Sequence, residues 1–443
     1  MSIIIKDVLA VTMNDQGEIG RYTILIDGAR IADMIRSPSR DISYEGKQST
    51  VIDGKNKIAL PGFVNGHIHS DMTLSRGLGD GLTLYEQDND SWISERQWFH
   101  NELTGDARYY GKLLQYVEAV KGGTTFLCDV PFWFTADDLV KPFEEVGLSG
   151  AVVLDYRDNF LTGEQMEEAA YRAVASSLRQ NGILPVVEGP SEENFRKDLL
   201  LMLHDRAVSL DTCLQMHLAE TTWRLDLVRS RHGTSSVRYL HEIGFLDHRA
   251  IGSHGVYIDT GEIDILKDTG AKIVNCPAAE MKIADGIAPV SDFMRTGVPV
   301  GIGTDGALWN DSADMFAEMK HLMLVQRVAH GASAIDAYSC LYAATKGGAS
   351  VFGIENELGS LEKGKRAHIT LLDYRKPHLV PLYHGSNSNV LENIVSCAKA
   401  SDVDTVIVDG RIIVQNGILR TLDESALVDE CQKIGKHLFE NLS

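Results

Sequence analysis

The chain has 443 residues, of which 44% are hydrophobic and 7% aromatic, a composition that supplies a large apolar core and excludes a disordered polypeptide. A formal net charge of −20, with no basic stretch to offset it, argues against a nucleic-acid partner, which needs clustered Lys and Arg. The N-terminus has no basic leader with a cleavage site, and nowhere do about 18 apolar residues run together, so a soluble, cytoplasmic protein without a membrane partner is expected.

Residues 1–58 contain the β-branched runs "IIIKDVLAV" and "RYTILIDGARIADMI", the second broken by an Asp-Gly turn, which predicts hairpins. From residue 60 to about 310, apolar runs of strand length alternate with amphipathic stretches of helix length. The runs are "LPGFVNG", "TTFLCDV", "GAVVLDY", "GILPVVEG", "CLQMHLAE", "AIGSHGVY", "AKIVNCPA" and "VPVGIGTDG". Continuous apolar strands separated by helices predict a parallel sheet, and this many units close a (β/α)8 barrel. The first helix after "LPGFVNG" is read in "DARYYGKLLQYVEAVKGG", whose apolar spacing of three and four stops at paired glycines. Beyond the barrel, "HITLLDY" and "VDTVIVDGRIIVQNG" return to the hairpin pattern. Neither end alone is large enough for a good core. The predicted architecture is therefore α/β: a TIM barrel over residues 59–363, and a β-sandwich composed from residues 1–58 and 364–443 with a C-terminal helix. Cys128, Cys213, Cys276, Cys340, Cys397 and Cys431 show no CxxC spacing and read as reduced core residues.

Barrel active sites lie at the C-terminal ends of the strands, so the residues closing each apolar run are the informative ones. If Leu60 to Asn65 is the first strand, His67 and His69 follow it two residues apart and point to one side. The fifth run ends in "HLAE" with His217 and Glu220, the sixth in "SHG" with His254, and the eighth in "TDG" with Asp305. Singly, the histidines also read as satisfied core residues, Asp305 as a helix N-cap and Glu220 as a solvated loop residue. Their joint placement on strands one, five, six and eight favours one divalent metal. Zn²⁺ suits such donors, with Fe²⁺ or Mn²⁺ as alternatives.

With these motifs in place, the chain resembles the amidohydrolase superfamily, and within it the branch of S-adenosylhomocysteine/methylthioadenosine deaminases, guanine and cytosine deaminases and triazine hydrolases. The resemblance runs from "PGFVNGHIHSDMTLSRG" through "HLAET", "SHGVYI", "CPAAEMKIADGIAPV" and "GIGTDGALWNDSADMFAEMK" to "LGSLEKGKRAHITLLD". It implies that His67, His69, His217 and Asp305 ligate a single metal, that His254 contacts the reacting water, and that Glu220 is the proton-transferring carboxylate. Binuclear relatives add a lysine at the end of strand three or four. Between Gly122 and His217 the lysines are Lys141 and Lys197, both in helical context, so a mononuclear site is expected. The implied chemistry is hydrolytic deamination of an amino-substituted N-heterocycle: a bound Zn²⁺ lowers the pKa of its water from about 15.7 to about 7. His254 and Asp305 would take the water's proton, and Glu220 would protonate a ring nitrogen. The expected substrate is a purine or purine nucleoside, then a pterin. A triazine chlorohydrolase or a cyclic amide hydrolase on the same site is the alternative. Homo-oligomers, dimers or larger, are implied by analogy with that family.

Substrate contacts are expected from the long loop after the first strand and from strand ends. Trp92 and Trp98 are candidate stacking platforms or core residues, and His100 stands near where the family places a ribose-binding carboxylate. Arg157 either meets an anionic substrate group or pairs with Asp155 or Asp158. Glu280, where relatives commonly carry Asn, either reads a substrate N–H or faces solvent. Trp309, where relatives often have a small residue, suggests a more aromatic pocket.

Overall fold

The computed structural model describes residues 2–37, 49–89, 105–131, 136–157, 165–385 and 387–440. The N-terminal runs form β1 (Ser2–Val11), β2 (Ile19–Asp27), β3 (Arg30–Arg36), β4 (Ser49–Asp53) and β5 (Lys57–Pro61). The barrel strands follow as β6 (Phe63–Ile68), β7 (Thr124–Asp129), β8 (Ser149–Leu154), β9 (Leu184–Glu188), β10 (Leu214–Leu218), β11 (Ala250–His254), β12 (Lys272–Asn275) and β13 (Val300–Ile302). Each apolar run singled out in the sequence overlaps one of them, β6 running two residues past its run and β8 starting one residue before its own. They pair in sequence order, all parallel, with helices such as Asp106–Lys121 and Lys197–Ser209 between them. Helices cover the outer face, so strands such as β6 and β7 are buried along their whole length, as continuous apolar runs require.

The run expected to be one strand from Leu60 to Asn65 is two strands, parted at Gly62. The Gly62 amide donates to the His368 carbonyl at 3.0 Å, and a Cβ at that position would lie 2.2 Å from the Thr125 side chain. The chain therefore crosses from one sheet to the other at a residue with no side chain.

The remaining strands are β14 (Ile369–Asp373), β15 (Val403–Val408), β16 (Arg411–Gln415) and β17 (Ile418–Leu419). They join the N-terminal strands in one mixed sheet of nine strands, ordered β17-β16-β15-β14-β5-β1-β2-β3 with β4 on β1. Both chain ends contribute, as expected, but they meet edge to edge. β5 uses one edge for β14 and the other for β1, so the two halves share a ladder instead of facing each other as separate layers. Ile3, Ile5, Ile24, Ile369, Leu371 and Ile407 form the buried core of this sheet. The Asp409-Gly410 turn between β15 and β16 has φ of 49° and 69°, the left-handed pair that a two-residue hairpin demands. All six cysteines are free, and five of them are buried. Among the described residues no helix is long and apolar enough to cross a membrane.

The barrel is drawn nearly closed between its last and first strands by side-chain and turn contacts. Asn65 Nδ2 donates to Thr304 Oγ1 at 2.8 Å, the Thr304 amide donates to Asn65 Oδ1 at 3.1 Å, and the Asp305 amide donates to the His67 carbonyl at 2.9 Å. Asn65 is fully buried, so Asn65→Ala leaves the Thr304 amide without its acceptor. We expect a loss of about 1–3 kcal/mol, read as a lower urea midpoint at an unchanged denaturant slope.

Candidate metal centre and cleft

His67 and His69 stand two residues apart at the end of β6, and the alternation of a strand sends both rings to one side. His217 arrives from β10 and Asp305 from the turn after β13. One ring nitrogen from each of His67, His69 and His217 lies within 4.8 Å of the other two. Asp305 Oδ1 is 3.8 Å from His67 Nε2 and 3.4 Å from His69 Nε2.

What stands behind the imidazoles sets them as donors. His69 Nδ1 meets the Val130 carbonyl at 2.7 Å, so that nitrogen carries the proton and Nε2 keeps its lone pair. His67 Nδ1 meets Ser253 Oγ at 3.1 Å and Gln215 Oε1 at 3.4 Å, while its buried Nε2 has no hydrogen-bond partner among the described residues. Burial pulls His69 down to about 4 and holds His67 and His217 well below the ordinary imidazole value, leaving all three neutral near pH 7. Burial pushes Asp305 up to about 7 against the pull of His254. Neutral nitrogen donors, a crowded carboxyl and a buried lone pair that no protein group satisfies fit a divalent cation. His67, His69 and His217 form a metal site.

His254 is the neighbour of this set. Its ring centre lies 5.5 Å from those of His67 and His217. Nε2 faces Glu220 Oε1 at 3.5 Å and Nδ1 faces Glu280 Oε1 at 3.6 Å. Burial would lower its pKa, yet these carboxylates hold it up at about 10. His254 and Asp305 have φ of 77° and 62°, left-handed conformations that cost a residue with a Cβ about 1–3 kcal/mol each.

A cleft of about 890 Å³ opens over the centre, lined by His69, His217, Glu220 and Asp305. Trp309 lines it as well, its ring 5.3 Å edge-on from His69 and its Nε1 donating to Gln87 Oε1 at 3.0 Å. Arg157 reaches the cleft, but its Nη2 is 2.7 Å from Asp155 Oδ2 and its Nε donates to Asp155 Oδ1 at 2.8 Å. Of the two expected partners, Asp155 pairs with Arg157 in the structure. Glu280 does not line the cleft. Its oxygens accept from Asn275 Nδ2 at 2.7 and 2.8 Å and from the Cys276 amide at 3.0 Å, which buries it beside His254 and away from solvent. Trp92, Trp98, His100 and Asp158 lie outside the described residues.

Some neighbours escaped the sequence reading. Arg224 Nη1 donates to Glu220 Oε2, and its Nε donates to Glu193 Oε1 at 2.9 Å. Glu220 is buried as a result, not a solvated loop residue. The spacing of four between Glu220 and Arg224 was the available signal. Gln215, behind His67, precedes His217 by two on the same strand and was equally within reach of the alternation argument.

A (β/α)8 barrel with a His-X-His pair, a distant His and an Asp around one cation site defines a metal-dependent hydrolase. Residues 58–413 match the amidohydrolase family, to which the chain belongs; like its members, it is an enzyme acting on carbon–nitrogen bonds. It is 35% identical over 445 residues to a 5'-deoxyadenosine deaminase of Methanobrevibacter smithii, covering 99% of this chain and 98% of that protein. It is 33% identical over 408 residues to a 5-methylthioadenosine/S-adenosylhomocysteine deaminase of Dictyoglomus thermophilum, covering 90% and 92%. In fold it is similar to an adenosine deaminase from Xanthomonas campestris with bound zinc, at a TM-score of 0.89 and 24% identity over 99% and 98% of the two chains.

Ser253→Ala removes one of the groups that orient His67 and leaves the ligands themselves intact. The expected result is metal affinity lower by about 10–100-fold, measured by competition with a chromophoric zinc chelator.

Proposed function

We propose that the protein is a zinc-dependent aminohydrolase of adenosine-type purine nucleosides, replacing the ring amine by oxygen and releasing ammonia. The observation that carries the proposal is Glu220: a buried carboxylate that lines the cleft beside the metal site and faces His254, in a chain similar over nearly its whole length to nucleoside deaminases. These relatives are named for nucleosides, and the pterin expectation finds no support in them.

In this reading His67, His69, His217 and Asp305 hold one ion. Lys141 and Lys197 lie in the helices Ala136–Val146 and Lys197–Ser209, not at strand ends, which supports a single metal. The same donors accept Fe²⁺ or Mn²⁺. When bound, the ion supplies the Lewis acidity that makes water nucleophilic at neutral pH. The protein's own groups do the rest. Glu220 delivers a proton to the ring nitrogen next to the amine-bearing carbon, which makes that carbon electrophilic as water adds. Asp305 takes the water's proton and passes it to the departing amine, while His254, kept protonated by the carboxylates around it, orients the water as a hydrogen-bond donor. Trp309 walls the site beside His69 and keeps bulk water from the reacting carbon.

Ammonia release by the zinc-loaded protein across aminopurines, their nucleosides and aminotriazines tests the assignment. Product from adenosine-type nucleosides supports it. Chloride without ammonia, or a new carboxylate without ammonia, would move the enzyme to dechlorination or ring opening. Glu220→Gln is expected to keep its metal and lose about 10²–10⁴-fold in turnover; loss of metal in that variant would make Glu220 a structural residue.

A further inference from the structure

The cleft wall built from the ends of β8 and β9 carries charge that the chemistry above leaves unused. Glu188 closes β9 and is the register partner of Gln215, whose side chain reaches His67 inside the barrel, so Glu188 shares that inner face. It lines the same cleft as His217 and Glu220. The cation beside it is Arg157, whose Nη2 lies 3.8 Å from Glu188 Oε1 but 2.7 Å from Asp155 Oδ2. Arg157 Nε adds bonds of 2.8 and 3.0 Å to the two Asp155 oxygens. Asp155 therefore holds the guanidinium fork, while Glu188 takes the longer contact to it and a hydrogen bond with Asp155. Two carboxyl groups thus face one guanidinium on this wall, and Asp155 already occupies it. Burial first and Asp155 second raise the Glu188 carboxyl well above its ordinary range, as happens to an acceptor deprived of water and of a full counter-charge. The other deep cation of the cleft, Arg224, is committed to Glu220 and Glu193. Neither guanidinium offers an open fork to an incoming anion.

We propose that Glu188 is the acceptor that grips the substrate beyond its ring, and that this subsite takes hydrogen-bond donors, hydroxyl or ammonium, and rejects an anion. The inference rests on the nucleoside assignment and narrows it. A sugar with free hydroxyls, or a neutral or cationic substituent on it, fits this wall. A substituent ending in a carboxylate meets Glu188 with the neighbouring arginine already taken.

The test compares the zinc-loaded wild type, Glu188→Gln and Glu188→Asp in kcat/KM on adenosine, 2′,3′-dideoxyadenosine, 5′-amino-5′-deoxyadenosine and adenosine-5′-carboxylic acid. The wild type should turn over the amine at least about tenfold better than the carboxylate. Glu188→Gln should lose about 10–100-fold on substrates whose donor Glu188 holds, chiefly through KM, and should narrow the amine-to-carboxylate ratio. A loss confined to substrates with the 2′ and 3′ hydroxyls identifies the diol as the donor, and one confined to the amine identifies the substituent. Unchanged ratios in both variants, or a wild type that prefers the carboxylate, overturn the subsite alone. Zinc-bound wild type that releases no ammonia from any of the four overturns the nucleoside assignment and the subsite with it. Zinc content and the unfolding midpoint verify the variants; if neither folds, the wild-type amine-to-carboxylate ratio decides.

Discussion

The amide of Asp305 donates to the carbonyl of His67 at 2.9 Å, and the geometry of the centre depends on that bond. It joins the last barrel strand to the first and so brings an aspartate from one end of the barrel sequence onto a histidine pair from the other. The approach is close: a Cβ on Gly303 would lie 2.7 Å from the backbone nitrogen and oxygen of His67. Only glycine permits it. Asn65 and Thr304 brace the same seam through their side chains, and Asp305 accepts a left-handed backbone to fit. A barrel that closed a residue earlier or later would separate the carboxylate from the imidazoles.

Around that seam the protein stores polarity in a place that water scarcely reaches. Burial keeps His67, His69 and His217 neutral, while Asp305, Glu220 and Glu280 surround His254 with carboxylates. Such an arrangement is costly in an apolar interior unless each group has a partner. Ser253, Gln215 and the Val130 carbonyl serve the histidines, Asn275 serves Glu280, and Arg224 serves Glu220. Among the described residues the buried His67 Nε2 has no hydrogen-bond partner, and a cation there would supply one. The need for a metal is thus written in the protein's own unsatisfied atom, independently of any relative.

The cleft above the centre draws its lining from several strand ends and turns. His69, His217, Glu220 and Asp305 line it at the metal site, and Trp309, Arg157 and Glu188 line it as well. Glu280 stands apart from that lining. It keeps a charged group near His254 but turns it away from the cleft, where Asn275 and the Cys276 amide hold it.

Strand order, barrel closure and metal ligands were legible in the sequence because each rests on a short-range rule. Apolar runs of strand length mark parallel strands, alternation puts His67 and His69 on one side, and barrel strands place chemistry at their C-terminal ends. The break at Gly62 was hidden because an apolar run continues through it, and only the neighbouring Thr125 and His368 show that the chain changes sheets there. Which partner a long polar side chain takes was likewise beyond the sequence. Arg157 had Asp155 and Asp158 within reach, Glu280 had the cleft and solvent, and the spacing of four that pointed from Glu220 to Arg224 did not show that Arg224 also reaches Glu193. By itself, then, the sequence determined the barrel and the identity of its metal-binding groups, since periodicity and strand polarity act within a few residues. Tertiary structure decided the pairing of Arg157, Arg224, Glu188 and Glu280, because several partners lay within reach of each and only the packed fold chooses among them.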